Sequence, residues 1–313
     1  MKAWQFTGIR EPLKLIEIED PVPGPGEVGI DVHAVGLCHS DVGVLEGVTT
    51  ASLGKIPIIL GHEIAGVVNA VGEGVTDFAV GDRVCVRAGA DSPGAATDGG
   101  YAEKTVSKAD FVVKLPDSIP FTVGAAATDA GMTSHHAVIG TGGVKAGDRV
   151  GIVGAGGLGM IGLQIAQAAG AKVYVAEPRE SARQVAQKYG VEKCVADVSE
   201  LAGEELDVVV DFAGFSTTTA GALNAVKAGG TVVLAGLGAP ETTFPTLTLV
   251  VRTIRLLGTL GGEREDVKRV LEYVDQGKVE FTLTEISFDE IPDGLQKLEE
   301  GKVDGRLVAK IRD

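Results

Sequence analysis

The sequence predicts an α/β protein of two parts, one built on a doubly wound parallel sheet and the other rich in β-strands. Three observations predict it. Residues 150–160, Val-Gly-Ile-Val-Gly-Ala-Gly-Gly-Leu-Gly-Met, run a short apolar strand into a glycine turn. From 132 to 261, strand and helix patterns alternate, which implies parallel strands with helices on both faces. Residues 1–115 are dense in strand and turn signals, and after Gly262 the chain is a short α+β piece. The expected division is a nucleotide-binding domain at 132–261 inserted into a domain made of 1–131 and 262–313, with the active site in the cleft between them.

The elements follow in order. Met1–Phe6 reads as a first strand and Leu13–Ile18 alternates as a second. Pro21–Gly26 is a turn cluster, Glu27–Leu37 the strand after it, and Gly61–Val71 and Asp82–Val86 further strands about the polar turn Gly72–Asp77. The alternating region holds strands at Arg149–Val153, Lys172–Ala176, Leu206–Phe212, Thr231–Leu237 and Thr253–Leu260. Helices are expected at Met160–Ala169, Ser181–Tyr189 and Thr217–Lys227, then an amphipathic one at Glu265–Gly277, with Arg306–Ile311 the last strand.

Bulk properties narrow the function. A chain of 313 residues, 44% of them hydrophobic, has ample core for two domains. A formal net charge of −15 argues against nucleic acid and anionic membranes as partners. The stretch 150–171 carries no charge and is long enough to span a bilayer. Its glycine turn and the amphipathic helix after it argue against that reading. Three cysteines, Cys38, Cys85 and Cys194, lack paired spacing and fit a reducing cytoplasm. The first residues lack the apolar core of a signal peptide, so export is not expected.

The glycine turn carries the most chemistry. Gly154 suits a tight turn, Gly156 lets a pyrophosphate approach the backbone, and Gly159 lets the helix pack close to the strand. Gly157 and Leu158 complete the turn, and the helix after it, Met160–Ala169, offers unpaired N–H groups and a positive dipole end to phosphates at its N-terminus. Glu177 ends the next strand, an acid about 20 residues further on as a dinucleotide fingerprint requires. Its carboxylate would accept the ribose 2′-hydroxyl and repel a 2′-phosphate, favouring NAD over NADP. Arg179, two residues on, could instead pair with a 2′-phosphate or lie in solvent.

In the strand-rich part, Cys38, His62 and Asp129 are three zinc-competent residue types, and a catalytic zinc site takes three protein ligands and one open position. Taken singly, Cys38 also reads as a small buried residue, His62 as a hydrogen-bonded core histidine and Asp129 as a helix cap. Of the other histidines, His136 reads as core, His135 as facing cofactor or interface, and His33 as surface.

Gly36-Leu37-Cys38-His39-Ser40-Asp41, Gly61-His62-Glu63, Gly81-Asp82-Arg83-Val84, the Gly154–Gly159 turn and Gly305-Arg306 occur in an order that resembles the zinc-dependent alcohol dehydrogenases of the medium-chain dehydrogenase/reductase superfamily. The resemblance spans essentially the whole chain. It implies a GroES-like catalytic domain and a Rossmann domain. It makes Cys38, His62 and Asp129 the zinc ligands, with aspartate where most members have cysteine, and Glu63 an acid that approaches the metal transiently. It further implies that Asp41 orients His62, Ser40 takes the alcohol proton, His39 and Arg306 contact the pyrophosphate, and Thr133 contacts the nicotinamide.

Two departures stand out. The segment Arg87–Gly100 has no cysteine where many members carry a four-cysteine structural-zinc lobe, so one zinc per chain is expected. Gly43 stands where a relay histidine is common, which sends the Ser40 proton out through cofactor ribose and water. The expected activity is hydride transfer between NAD(H) and a small alcohol and its aldehyde or ketone, in a homodimer or homotetramer. A polyol or sugar dehydrogenase and a zinc-free quinone or enone reductase are the alternatives. A catalytically silent nucleotide sensor would not need the metal-competent set.

Overall fold

A computed structural model describes residues 1–303 and 305–312. The chain divides into two units: Met1–Met132 with Glu263–Asp275 and Phe281–Asp313, and Thr133–Gly262 with Gln276–Glu280.

The first unit opens with β1 (Lys2–Phe6) and β2 (Lys14–Glu17), then β3 (Glu27–Leu37), whose inward residues Val28, Ile30 and Val32 are fully buried. Gly26, at φ 77°, turns the chain into β3. Helix α1 (His39–Leu45) follows at once, then β4 (Ile58–Ile59), β5 (Glu63–Val71), β6 (Arg83–Val86), β7 (Lys104–Lys108) and β8 (Val112–Lys114). Helix α2 (Phe121–Ala126) runs into a π-helical turn, Ala127–Gly131. Gly36 pairs with Glu63 across β3 and β5, and a side chain at Gly36 would strike the Glu63 carboxyl at 2.2 Å. The glycine is there to give the acid its space.

The second unit starts with α3 (Met132–His135), shared at Met132, and a further π-helical stretch, His136–Thr141. It continues through β9 (Arg149–Val153), α4 (Gly157–Ala168), β10 (Lys172–Ala176), α5 (Glu180–Lys188), β11 (Lys193–Val195), β12 (Leu206–Asp211), α6 (Ser216–Ala225), β13 (Val226–Leu234), α7 (Thr246–Val251) and β14 (Arg255–Gly258). The six strands are all parallel, in the order β11-β10-β9-β12-β13-β14. Their apolar runs are continuous because helices cover both faces. The order reverses between β9 and β12, and in such sheets ligands bind beyond the carboxyl ends of the strands at that switch point.

The chain then returns to the first unit with α8 (Arg264–Asp275), β15 (Leu283–Ser287), α9 (Ile291–Glu299) and β16 (Arg306–Lys310). These extend the main sheet, ordered β15-β16-β3-β5-β6-β8, with β7 also on β3.

The structure departs from the sequence reading at several element ends: α4 begins at Gly157 and not Met160, and β13 spans Val226–Leu234 and not Thr231–Leu237. The helix expected to reach Lys227 stops at Ala225. Val226 is instead fully buried opposite Leu206, and Lys227 pairs with Asp207, so packing and charge draw these residues into β13. The strand expected at Thr253–Leu260 narrows to Arg255–Gly258, with Thr253 in a left-handed turn.

Cys85 sits fully buried on β6, and burial pushes its thiol up to about 12. Only the thiolate reacts, and at pH 8 about one Cys85 in ten thousand would be ionised. Peptide mapping after thiol labelling at pH 8 should therefore find Cys85 unmodified in the folded protein and modified in urea. Native-state labelling as fast as that of the half-buried Cys194 would contradict this packing.

Candidate metal centre and dinucleotide turn

Cys38 lies at the junction of β3 and α1, and its own N–H donates to Asp41 Oδ2 at 3.1 Å, closing the first turn of α1. His62 follows Gly61, whose φ of 86° lets the chain turn into β5. Glu63 is the first residue of β5, and Asp129 lies inside the π-helical turn. Those elements bring Cys38, His62, Glu63 and Asp129 together, with one donor atom from each within 4.8 Å of all the others. Cys38 Sγ is 3.4 Å from Asp129 Oδ2 and from Ser40 Oγ, and His62 Nε2 is 3.8 Å from Asp129 Oδ2.

Around them lies a ring of charge. Asp41, fully enclosed, faces His62 Nδ1 at 3.3 Å through Oδ1. Its Oδ2 accepts from Tyr101 Oη at 2.8 Å. Burial works against the Asp41 charge, but attraction to His62 and the hydrogen bonds from His62, Tyr101 and the Cys38 N–H outweigh it and hold the carboxyl below its usual range. Burial likewise works against a proton on His62. Asp41's field and hydrogen bonds to Asp129, Asp41 and Cys38 overcome it and hold the imidazole well above its ordinary value. Arg306 Nη2 donates to Asp129 Oδ2 at 2.9 Å, Nε donates to Glu63 Oε2 at 3.1 Å, and Nη2 also pairs with Glu63 Oε1.

A thiol, an imidazole and a carboxylate at this separation, with a second carboxylate beside them, fit a zinc ion by donor type. The imidazole presents Nε2 to the cluster while Nδ1 is held by a carboxylate, the outer arrangement that fixes a ligating histidine.

The second unit carries the glycine turn. Gly154 takes φ 84°, beyond the range most residues adopt. A side chain at Gly159 would meet the Gly154 carbonyl oxygen at 1.8 Å, so α4 lies against the turn only with glycine there. At Gly156 the space is open, with only the Arg179 guanidinium at 4.0 Å. Glu177 directly follows β10 and is buried: its Oε2 accepts the Ala155 N–H at 2.8 Å, and its Oε1 accepts the Arg179 N–H and Nε, both at 2.9 Å. Burial opposes its charge, but Arg179 and the two backbone N–H groups prevail and lower its pKa. Asp211, at the end of β12, is wholly used in capping the next turn: it accepts from Ala213 and Gly214 N–H and from Thr218 and Thr219.

Other expected residues fall as follows. His39 and Ser40 are exposed at the start of α1, and Thr133 is buried at the start of the second unit. Arg306, expected at a phosphate, has its guanidinium between two carboxylates. His136, expected in the core, is partly exposed, and His135 is the buried member of the pair. His33 is half-buried and stacks on Phe121 at 4.3 Å between ring centres, so it is not a plain surface residue. Tyr101 is the site residue that sequence reasoning passed over. It lies far along the chain from Asp41, and only the glycine pair before it marks a special position.

The two units thus define an oxidoreductase class, with a metal-competent cluster in one and a dinucleotide turn in the other. Residues 24–117 match the alcohol dehydrogenase GroES-like domain and 157–276 the zinc-binding dehydrogenase domain. The chain is 31% identical to an alcohol dehydrogenase of Geobacillus stearothermophilus over 99% of its own length and 100% of the relative's. It is similar to the acetophenone reductase of Geotrichum candidum solved with NAD, at 31% identity and a TM-score of 0.88 over 99% and 97% of the two chains. It is also similar to the cobalt- and zinc-bound alcohol dehydrogenase of Pyrobaculum aerophilum, at 27% identity and a TM-score of 0.88 over 99% of each.

The chain belongs to the zinc-type alcohol dehydrogenase family of the medium-chain dehydrogenases/reductases. It is an NAD-dependent alcohol oxidoreductase of that family, with zinc and NAD as its cofactors.

With Glu177 buried and ionised, a 2′-phosphate would meet a fixed negative charge. kcat/KM for NADH should exceed that for NADPH by at least about tenfold, roughly 1.4 kcal/mol. Equal values would mean that Arg179 leaves Glu177 to pair with the phosphate.

Proposed function

We propose that the protein uses one zinc, held by Cys38, His62 and Asp129, to interconvert small alcohols with their aldehydes or ketones at the expense of NAD(H). The observation that carries this is the convergence of those three side chains, with Glu63 beside them, from β3, β5 and the π-helical turn. Bound zinc supplies Lewis-acid polarisation of the substrate oxygen, and the nicotinamide supplies the hydride chemistry.

The chain's own residues do the rest. Asp41 fixes the His62 ring so that Nε2 points to the cluster. Arg306 balances the charge of Asp129 and Glu63, leaves Glu63 poised as a transient ligand, and is the candidate, with His39, for the pyrophosphate. Ser40, exposed and next to the thiol, accepts the alcohol proton. With Gly43 in the usual place of the relay histidine, that proton leaves through cofactor ribose and water. Gly154, Gly156, Gly157, Leu158 and Gly159 seat the pyrophosphate on α4, Glu177 takes the adenosine ribose, and Thr133 bounds the nicotinamide. The cysteine-free segment Arg87–Gly100 supports one zinc per chain and no second, structural one.

Asp129→Ala should lose zinc and at least about a thousandfold in turnover while keeping NADH affinity; a site emptied of a Lewis acid forfeits several kcal/mol. Elemental analysis, a primary-alcohol and ketone assay and NADH fluorescence read the three. Normal turnover in that variant would reduce Asp129 to a structural residue.

β14 ends the six-stranded sheet, and α7 beside it buries none of its residues, leaving Leu247, Val250 and Val251 exposed along with Leu260 at 88%. An open sheet edge with apolar neighbours suits pairing with a second copy, as a dimer or a pair of dimers. Light scattering should report a dimer or tetramer, and the double variant Leu247→Asp/Leu260→Asp should give single chains. A monomeric parent protein would overturn this. Three free cysteines favour the cytoplasm. Among the described residues no helix is long and apolar enough to cross a membrane.

A further inference from the structure

The segment Arg87–Tyr101 runs alongside the strand leading to His62 and grips it by the backbone. Asp98 Oδ1 accepts the Ile59 N–H at 3.0 Å, and the Gly99 N–H donates to the Ile59 carbonyl at 2.8 Å. The Tyr101 N–H donates to Leu60 at 3.0 Å and the Gly100 N–H to Gly61 at 2.7 Å. The chain thereby fixes every residue from Ile59 to Gly61, the three before His62.

Contact there is close. A side chain at Gly94, where φ is 89°, would lie 2.7 Å from the Gly61 carbonyl and 2.8 Å from His62 Cα. One at Gly99 would lie 2.5 Å from the same carbonyl oxygen. Gly61 in turn faces the Tyr101 ring, which a side chain at Gly61 would strike at 2.4 Å.

Tyr101 ends the segment and is fully buried. Its hydroxyl and the Cys38 N–H both donate to Asp41 Oδ2. With two donors on that oxygen, the carboxylate plane is set and Oδ1 is left to His62 Nδ1. One residue thus joins the backbone grip on Gly61 to the hydrogen bond that turns the imidazole.

We propose that the segment Arg87–Tyr101 is a metal-free brace of the metal centre, and that Tyr101 is a positioning residue that fixes His62 through Asp41 and Gly61. The inference rests on the zinc reading above. Hydrogen-bond partners behind a metal ligand carry about tenfold to a hundredfold in metal affinity. The brace supplies such partners from a stretch that itself contains no cysteine.

The test compares the parent protein with Tyr101→Phe and Gly94→Ala. Zinc affinity is read by competition with a chromophoric chelator, ligand geometry by the visible bands of the cobalt-substituted protein, and folding by thermal melting. Tyr101→Phe keeps the ring and loses one hydrogen bond, so it should melt close to the parent. It should bind zinc about tenfold or more weakly, show altered cobalt bands, and recover most of its kcat at saturating zinc. Gly94→Ala should do the same more strongly. If the parent binds zinc and Tyr101→Phe matches it in affinity and cobalt spectrum, the brace is wrong and the zinc site stands. If the parent binds neither zinc nor cobalt, the zinc reading itself fails and the brace with it. Should Gly94→Ala not fold, Tyr101→Phe decides alone.

Discussion

A single buried carboxylate, Asp41, ties the first unit's chemistry together. Burying an ionised group without partners is costly, and the cost is met only by hydrogen bonds and opposite charge. Asp41 takes those from one neighbouring and two distant places: the Cys38 N–H in its own helix turn, the Tyr101 hydroxyl beyond a long segment, and the His62 imidazole ahead of β5. Satisfying one charge therefore places two metal-competent residues and sets the ring angle of one of them. Removing the carboxylate would release all three segments at once, whereas removing a single donor releases only its own.

The second constraint is charge balance. Glu63, Asp129 and the Cys38 thiol stand within 4.8 Å of one another, with Asp41 behind His62, and two like charges 4 Å apart at an effective dielectric of 20 repel by about 4 kcal/mol. The protein meets this with two cationic groups, Arg306 bridging Glu63 and Asp129, and an imidazole whose proton is held by Asp41. A divalent cation answers the same demand more completely, and its binding is coupled to proton release from its ligands. Asp129, the proposed third ligand, presents a hard oxygen that also accepts from Arg306. The guanidinium thereby becomes part of the metal centre's surroundings as well as a candidate for the cofactor phosphate.

Much of this was legible in the sequence, and the reasons are local. Glu27–Leu37 is a strand with the bounds its pattern implies, and the glycine turn falls between β9 and α4 because each glycine answers a steric demand of that turn. Cys38, His62 and Asp129 could be singled out by residue type, but only the fold brings them within reach. What could not be read depended on tertiary partners. Tyr101 looks like any buried aromatic until Asp41 is opposite its hydroxyl. His135 and His136 differ only in which face of their helix is covered, and a run that mixes α- and π-helical turns shifts that face away from the ordinary helical period. Val226 leaves its helix because a buried slot opposite Leu206 outweighs local propensity.

Glu177 shows how cofactor choice and turn geometry are linked in the second unit. Beyond its proposed part as a ribose acceptor, its carboxylate holds the Ala155 N–H inside the glycine turn with one oxygen and Arg179 with the other. A change that removed the acid to admit a 2′-phosphate would also free the turn proposed to seat the pyrophosphate, and would release Arg179 close to the open face of Gly156. Admitting NADP without loosening the turn thus requires a replacement that still accepts from Ala155 while carrying no charge. A neutral amide or hydroxyl meets that condition and an alkyl side chain does not. Preference for NAD here is therefore bound to the construction of the turn itself, and Arg179 supplies the cationic group that such a switch would recruit.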